Sequence, residues 1–237
     1  MEDGAIEWSS DKFLFVCCFL TAFSFFRSYK ILNISKWTQL LLAFITLAFF
    51  VMAMEEVSWF QRELEIETPK VFKGNWQNEM NLHNFATDYS ENIYYFGAFL
   101  CLVVLPFIQL LFPFVFNNKY LKIFIVRPYI AVIGAIACAY NFDMWNAILT
   151  QIAFFGSLAI LSAFAIFSNV RNERYMILFT IVLMIATQVL FLSNGENFKR
   201  LWEVTEYKEF LILLVLLLYS LDILTYSNRN YLLEKSQ

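Results

Sequence analysis

The chain has 237 residues, of which 60% are hydrophobic, 19% aromatic and only 16% charged, against roughly 25% charged in an average soluble domain. The charges are bunched between long apolar runs, so no stretch remains to fold as a separate soluble domain, and residues 1–237 read as one transmembrane domain. A formal net charge of −3, with no basic patch interleaved with aromatics, argues against nucleic acid as a partner.

At the N-terminus Glu2, Asp3, Glu7 and Asp11 stand where a cleavable signal peptide carries basic residues, so the first apolar run is expected to be retained as a helix. A membrane helix needs about 20 mostly apolar residues, each adding about 1.5 Å against a core of about 30 Å. Residues 12–29, 37–54, 93–116, 121–140, 145–168, 175–193 and 209–226 meet or approach that length, the first being cut short by Arg27 and Lys30. The expected fold is therefore all-α, a polytopic transmembrane helix bundle of about seven spans (six to seven). Pro106, Pro113 and Pro128 predict kinks in or near the third and fourth spans. Cys17, Cys18, Cys101 and Cys138 all fall inside apolar runs, without zinc-site spacing, and read as packing residues.

Charge placement orients the bundle with its N-terminus out and its C-terminus in. Arg27, Lys30, Lys36, Lys119, Lys122, Arg127, Arg171, Arg174, Arg229 and Lys235 then lie inside, ten of the 17 basic residues and mostly close to helix ends. Of the 20 acids, only Glu173 and Glu234 are inner and Asp222 lies within the last span, leaving seventeen outside.

The one long connection, residues 55–92, falls on the outer side. Connections of this size in compact bundles are functional or disordered. Here apolar patches at Trp59-Phe60, at Val71-Phe72 and from Leu82 to Phe85 argue for order, with the loop packed on the bundle mouth or re-entering it. Glu55 and Glu56 follow the second span without a spacer, a costly placement unless they are hydrated, paired or bound to a cation. Arg62 lies seven residues after Glu55, so a continuing helix would put both on one face. In an extended segment Asn75, Gln77, Glu79, Asn81 and His83 would face one side.

His83 is the single histidine, the side chain type best suited to proton transfer near neutral pH. Its functional reading is general base or metal ligand with Glu55, Glu56 or Glu79 as partner; its bland reading is a hydrogen bond tying loop to bundle. Three-histidine zinc chemistry is excluded by count, whereas a divalent hard-cation site drawing on Glu55, Glu56 and His83 stays open. Arg62, Gln61, Asn81, Asn84 and Asp143 are the substrate-binding candidates, although Asp143 also suits a helix cap.

The stretch resembles a widespread family of uncharacterised bacterial polytopic membrane proteins with the pattern EE[IV]SWxQR, then ETP, then NxQxExNLHN. The matching residues are Glu55, Glu56, Ser58, Trp59, Gln61 and Arg62; then Glu67, Thr68 and Pro69; then Asn75, Gln77, Glu79, Asn81, Leu82, His83 and Asn84. Phe60 stands where the family usually carries Gly. The resemblance covers about 30 residues; it implies a polar site and a bacterial inner membrane, without implying an activity.

Elsewhere Glu203, Glu206 and Glu209 suit the N-terminus of the last helix, Trp202 an interfacial anchor, and Arg127 a snorkelling end; Gln188 and Asp222 lie within spans. Two functions compete. One is a membrane-embedded hydrolase or transferase acting on a lipid or lipid-linked substrate, with Glu55, Glu56, Glu79 and His83 as acid–base or cation-holding groups and Arg62 on an anionic headgroup. The zinc-binding histidines of seven-span ceramidase-like hydrolases have no counterparts here, and no G-x-S-x-G signature is present. The other is an ion channel or membrane effector with an acidic outer vestibule, for which a homo-oligomer would have to assemble the pore. A structural or assembly subunit is a third, blander reading.

Overall fold

The structure is a computed structural model of the whole chain, described here for residues 5–30, 35–114, 121–140, 148–194, 197 and 201–235. Among these residues all regular structure is helical. The α-helices are α1 (Ala5–Lys30), α2 (Lys36–Glu56), α3 (Thr87–Phe99), α4 (Leu105–Leu111), α5 (Pro128–Ala139), α6 (Ile148–Phe167), α7 (Arg171–Asn194) and α8 (Leu201–Lys235). A π-turn at Leu100–Val104 joins α3 to α4, so Thr87–Leu111 runs on as one span of 25 residues.

Six helical stretches are long and apolar enough to cross a bilayer: Ser9–Ser28, Lys36–Glu56, Thr87–Leu111, Ile148–Phe167, Arg171–Asn194 and Glu206–Tyr226. They make the chain an integral membrane protein of helical type. The expected fourth span differs. It contains a short 3₁₀ turn, Leu121–Phe124, and then α5, whose 12 residues reach only about 18 Å at 1.5 Å each.

The prolines explain part of this pattern. Pro106 has no N–H for the carbonyl four residues back, and the helix widens into the π-turn just before it. Pro113 follows the end of α4 and Pro128 opens α5 at its first position, so both mark helix limits where kinks are expected from sequence.

The chain divides into two compact units, Met1–Ile93 with Leu216–Gln237, and Tyr94–Val215. In the first, α1 packs along α2, and Ser35 caps α2 by accepting from the Trp37 amide at 3.3 Å. Thr21, Ser24 and Ser28 are buried on α1 with their hydroxyls turned back to their own helix carbonyls, and Cys17 is buried beside them. In the second unit, α6 packs between α5 and α7. Small residues let α5 sit deep: Ala131, Gly134, Ala135, Ala137, Cys138 and Ala139 are buried. At Gly134 a Cβ would lie 3.1 Å from that of Leu102, so the close approach needs a glycine or a yielding neighbour. Arg174 closes the end of α6, donating to the carbonyls of Ala165 at 3.0 Å and Ser168 at 2.8 Å. α7 buries just Met184 and Gln188, which leaves the rest of its apolar surface for lipid. The four cysteines form no disulfide.

Candidate functional site

The loop belongs to the first unit, and because α3 starts at Thr87 it is shorter than expected, residues 57–86. Its shape is set just after α2. Ser58, Trp59 and Phe60 have φ of 46°, 56° and 61°, one turn of left-handed backbone that costs about 1–2 kcal/mol per non-glycine residue. Several contacts offset that cost. The Ser58 hydroxyl donates to Glu79 Oε2 at 2.6 Å, the Trp59 indole donates back to Glu55 Oε1 at 2.9 Å, and Phe60 stacks on Phe15 at 6.1 Å. The turn also ends α2 at Glu56, so Arg62 does not share a helix face with Glu55. Arg62 pairs instead with Glu79, its Nη2 at 2.7 Å and its Nε at 2.8 Å from Oε1.

The segment 75–83 is not extended either. Gly74 and Asn78 have positive φ, and turns rather than strand alternation bring the polar side chains together. Asn75 is buried; its amide nitrogen donates to the carbonyls of Glu79 at 2.7 Å and Asn81 at 3.2 Å, and its oxygen accepts from the Glu79 amide at 3.1 Å. Gln61 donates to Thr68 Oγ1 at 2.8 Å and accepts from the Met80 amide at 2.6 Å, while Thr68 donates to the Asn78 carbonyl at 2.7 Å. Asn84 donates to Gln77 Oε1 at 2.7 Å. Gln61, Asn75 and Asn84 therefore hold the loop in shape: buried amides take the place of secondary structure.

Two carboxylates organise what remains. Glu55 Oε2 accepts from the backbone amides of Leu82 at 2.5 Å and His83 at 3.3 Å, and lies 3.7 Å from His83 Nδ1. The end of α2 thus clamps the far end of the loop and fixes the His83 ring beside a carboxylate. The His83 side chain keeps 33% of its surface exposed. Burial acts to raise the pKa of Glu79, but hydrogen bonds from Arg62 and Ser58 and the charges of Arg62 and His83 outweigh it, so the carboxyl sits below its usual range. Glu79 is therefore a fixed anion near neutral pH.

Asn81 lies between them. It is 2% exposed and donates to Ser58 Oγ at 3.2 Å and Glu79 Oε2 at 3.4 Å, while its own Oδ1 is buried without a hydrogen-bond partner. Such an orphan acceptor in an otherwise satisfied cluster is an exception needing an explanation.

Of the sequence candidates, Ser58, Arg62 and Asn81 bond to Glu79, His83 lies against Glu55, and Gln61 accepts from the Met80 amide. Glu56 is exposed on the last turn of α2. Among the described residues no three His, Cys, Asp or Glu side chains gather as a metal-binding group. Asp143 lies outside the described residues, as do the side chains of Trp202 and Glu203.

A second polar cluster, in the other unit, escapes sequence reading. α8 starts at Leu201, so Glu209 falls in its third turn and is no N-terminal cap. It accepts from the Tyr95 hydroxyl at 2.6 Å, and the Lys208 ammonium, buried, lies 4.5 Å from the centre of the Tyr95 ring. The one available signal was a lysine lodged between acids at a span edge.

No family model, no curated protein and no solved structure matches the chain. Its class, an integral membrane protein of apolar helices, rests on the helices themselves.

Proposed function

We propose that this protein is a membrane-embedded enzyme whose loop, residues 57–86, acts at the outer surface on a lipid or lipid-linked substrate, by hydrolysis or group transfer. The single observation that carries the reading is the pairing of the one histidine with Glu55, whose carboxylate is held by three N–H donors, those of Leu82, His83 and the Trp59 indole. A carboxylate so fixed orients the imidazole for proton transfer. The 3.7 Å separation is long for a hydrogen bond, as catalytic contacts often are before substrate binds. In this scheme His83 moves the proton and Glu55 positions it. The Arg62–Glu79 pair holds the wall of the site.

The topology that goes with this function is N-terminus out and C-terminus in, in a bacterial inner membrane, with residues 121–139 completing a seventh crossing. The burial of α5 supports that crossing, since non-helical backbone at membrane depth is tolerated where protein surrounds it. The channel reading draws on the outer acids alone.

Untargeted lipid and glycolipid profiles of cells producing the wild type or His83→Ala, at equal membrane levels, test the proposal. A species that changes with the wild type and not with the variant is the expected result. Identical profiles would remove the enzyme reading.

A further inference from the structure

The loop carries its charges in two separate arms. Residues 63–67 hold Glu63, Glu65 and Glu67 and no base, whereas residues 70–78 hold Lys70 and Lys73 and no acid. The second arm also turns Val71 and Trp76 outward: Val71 is 78% exposed and Trp76 is 87% exposed. This is not the exposure of a loose chain. Phe72, between them, packs on Phe85 with ring centres 5.8 Å apart, and the Gly74 amide donates to Asn78 Oδ1 at 3.1 Å. Gly74 supplies the φ of +118° that the turn requires, a conformation nearly reserved for glycine. The turn is built, and its rim is apolar and basic.

Where this rim lies follows from the helices that carry it. α2 ends at Glu56 and α3 starts at Thr87, both on stretches long and apolar enough to span. Both ends of the loop are thus held at one bilayer surface. Tryptophan favours the headgroup level, and lysine can lay its stem along apolar surface with its ammonium at the phosphates. Basic segments close to a membrane are drawn to anionic lipid. We infer that the turn at residues 70–76 inserts Val71 and Trp76 into the headgroup layer beside the bundle, with Lys70 and Lys73 on the phosphates of anionic lipids. This inference goes beyond the acid–base reading and does not require any chemistry at His83. It supplies the means by which the loop is held at the lipid surface.

The test uses the full chain with 5-fluorotryptophan at its six tryptophans, in nanodiscs of phosphatidylcholine with or without phosphatidylglycerol. The variant Trp76→Phe assigns the resonance. With phosphatidylglycerol present, dissolved oxygen is expected to relax the Trp76 signal several-fold more than a water-soluble nickel chelate does. That preference should shrink without phosphatidylglycerol, and also in Lys70→Glu/Lys73→Glu. A signal dominated by the nickel chelate in anionic discs would place the turn in water and overturn the inference. Protection from both reagents would overturn it too, showing the rim covered by protein, whether a second copy or another partner. An oxygen preference indifferent to phosphatidylglycerol would remove the role given to the lysines. His83→Ala should leave all these signals unchanged, so failure of insertion and failure of catalysis are read apart.

Discussion

Ser58 is the residue on which the loop turns. Its hydroxyl meets both Glu79 and Asn81, from a backbone position at φ 46°. Ser58→Ala leaves the buried Asn81 amide and the Glu79 carboxylate each short of a partner, and unsatisfied buried polar groups cost about 1–3 kcal/mol. Phe60→Gly works in the other direction: it relieves about 1–2 kcal/mol of left-handed strain while giving up the stack on Phe15 and adding about 0.5–1 kcal/mol of backbone entropy. We therefore expect Phe60→Gly to change the stability of the loop by less than about 1 kcal/mol, the terms being of similar size and opposite sign. Hydrogen exchange at the Leu82 amide, which donates to Glu55, reads both. Exchange should speed up markedly in Ser58→Ala and hardly change in Phe60→Gly; the reverse order would refute this account of the turn. The polar residues of the network were legible from their types and spacing. Their partners were not, because three consecutive left-handed residues without glycine leave no local signal, and so Arg62 looked placed for Glu55 when it meets Glu79.

Among the elements, long apolar runs made the spans readable, and each of the six spanning helices overlaps a run visible in the sequence. Their ends were less so. α3 begins at Thr87, ahead of the apolar run at 93, since residues 87–92 join the helix with Asp88 in its favourable first turn. α5 shows the limit of hydropathy as a guide: the run from 121 to 140 is long enough, but Pro128 confines the α-helix to its second part. Whether residues 121–139 nevertheless cross determines the side on which the chain ends. The proposed topology expects opposite compartments for residues flanking this segment. Single cysteines placed in 115–120 and 141–147, in a chain stripped of its own cysteines, should differ in labelling by a membrane-impermeant maleimide on intact cells, only the second group reacting. Equal labelling of both groups would make the segment re-entrant and reverse every later element.

At the scale of the whole molecule, two features meet. Helices exposing apolar faces to lipid carry a loop whose polar side chains are bonded inward to one another and whose rim is apolar and basic. A vestibule that only concentrated cations would have no need for Glu55 to hold the backbone around His83, or for Glu79 to be neutralised by Arg62. Under the proposed function these bonds hold Glu55 and His83 in place, as chemistry needs its reacting groups positioned rigidly. The most direct measurement is made on purified protein in liposomes containing the lipids of the cells that produce it, followed by mass spectrometry and by ion flux. The wild type is expected to convert a lipid species while the vesicles stay ion-tight, and Glu55→Gln and His83→Ala should each slow the conversion by about 10²-fold or more. Unchanged lipids together with a cation flux that falls when the outer acids are neutralised would contradict the enzyme reading.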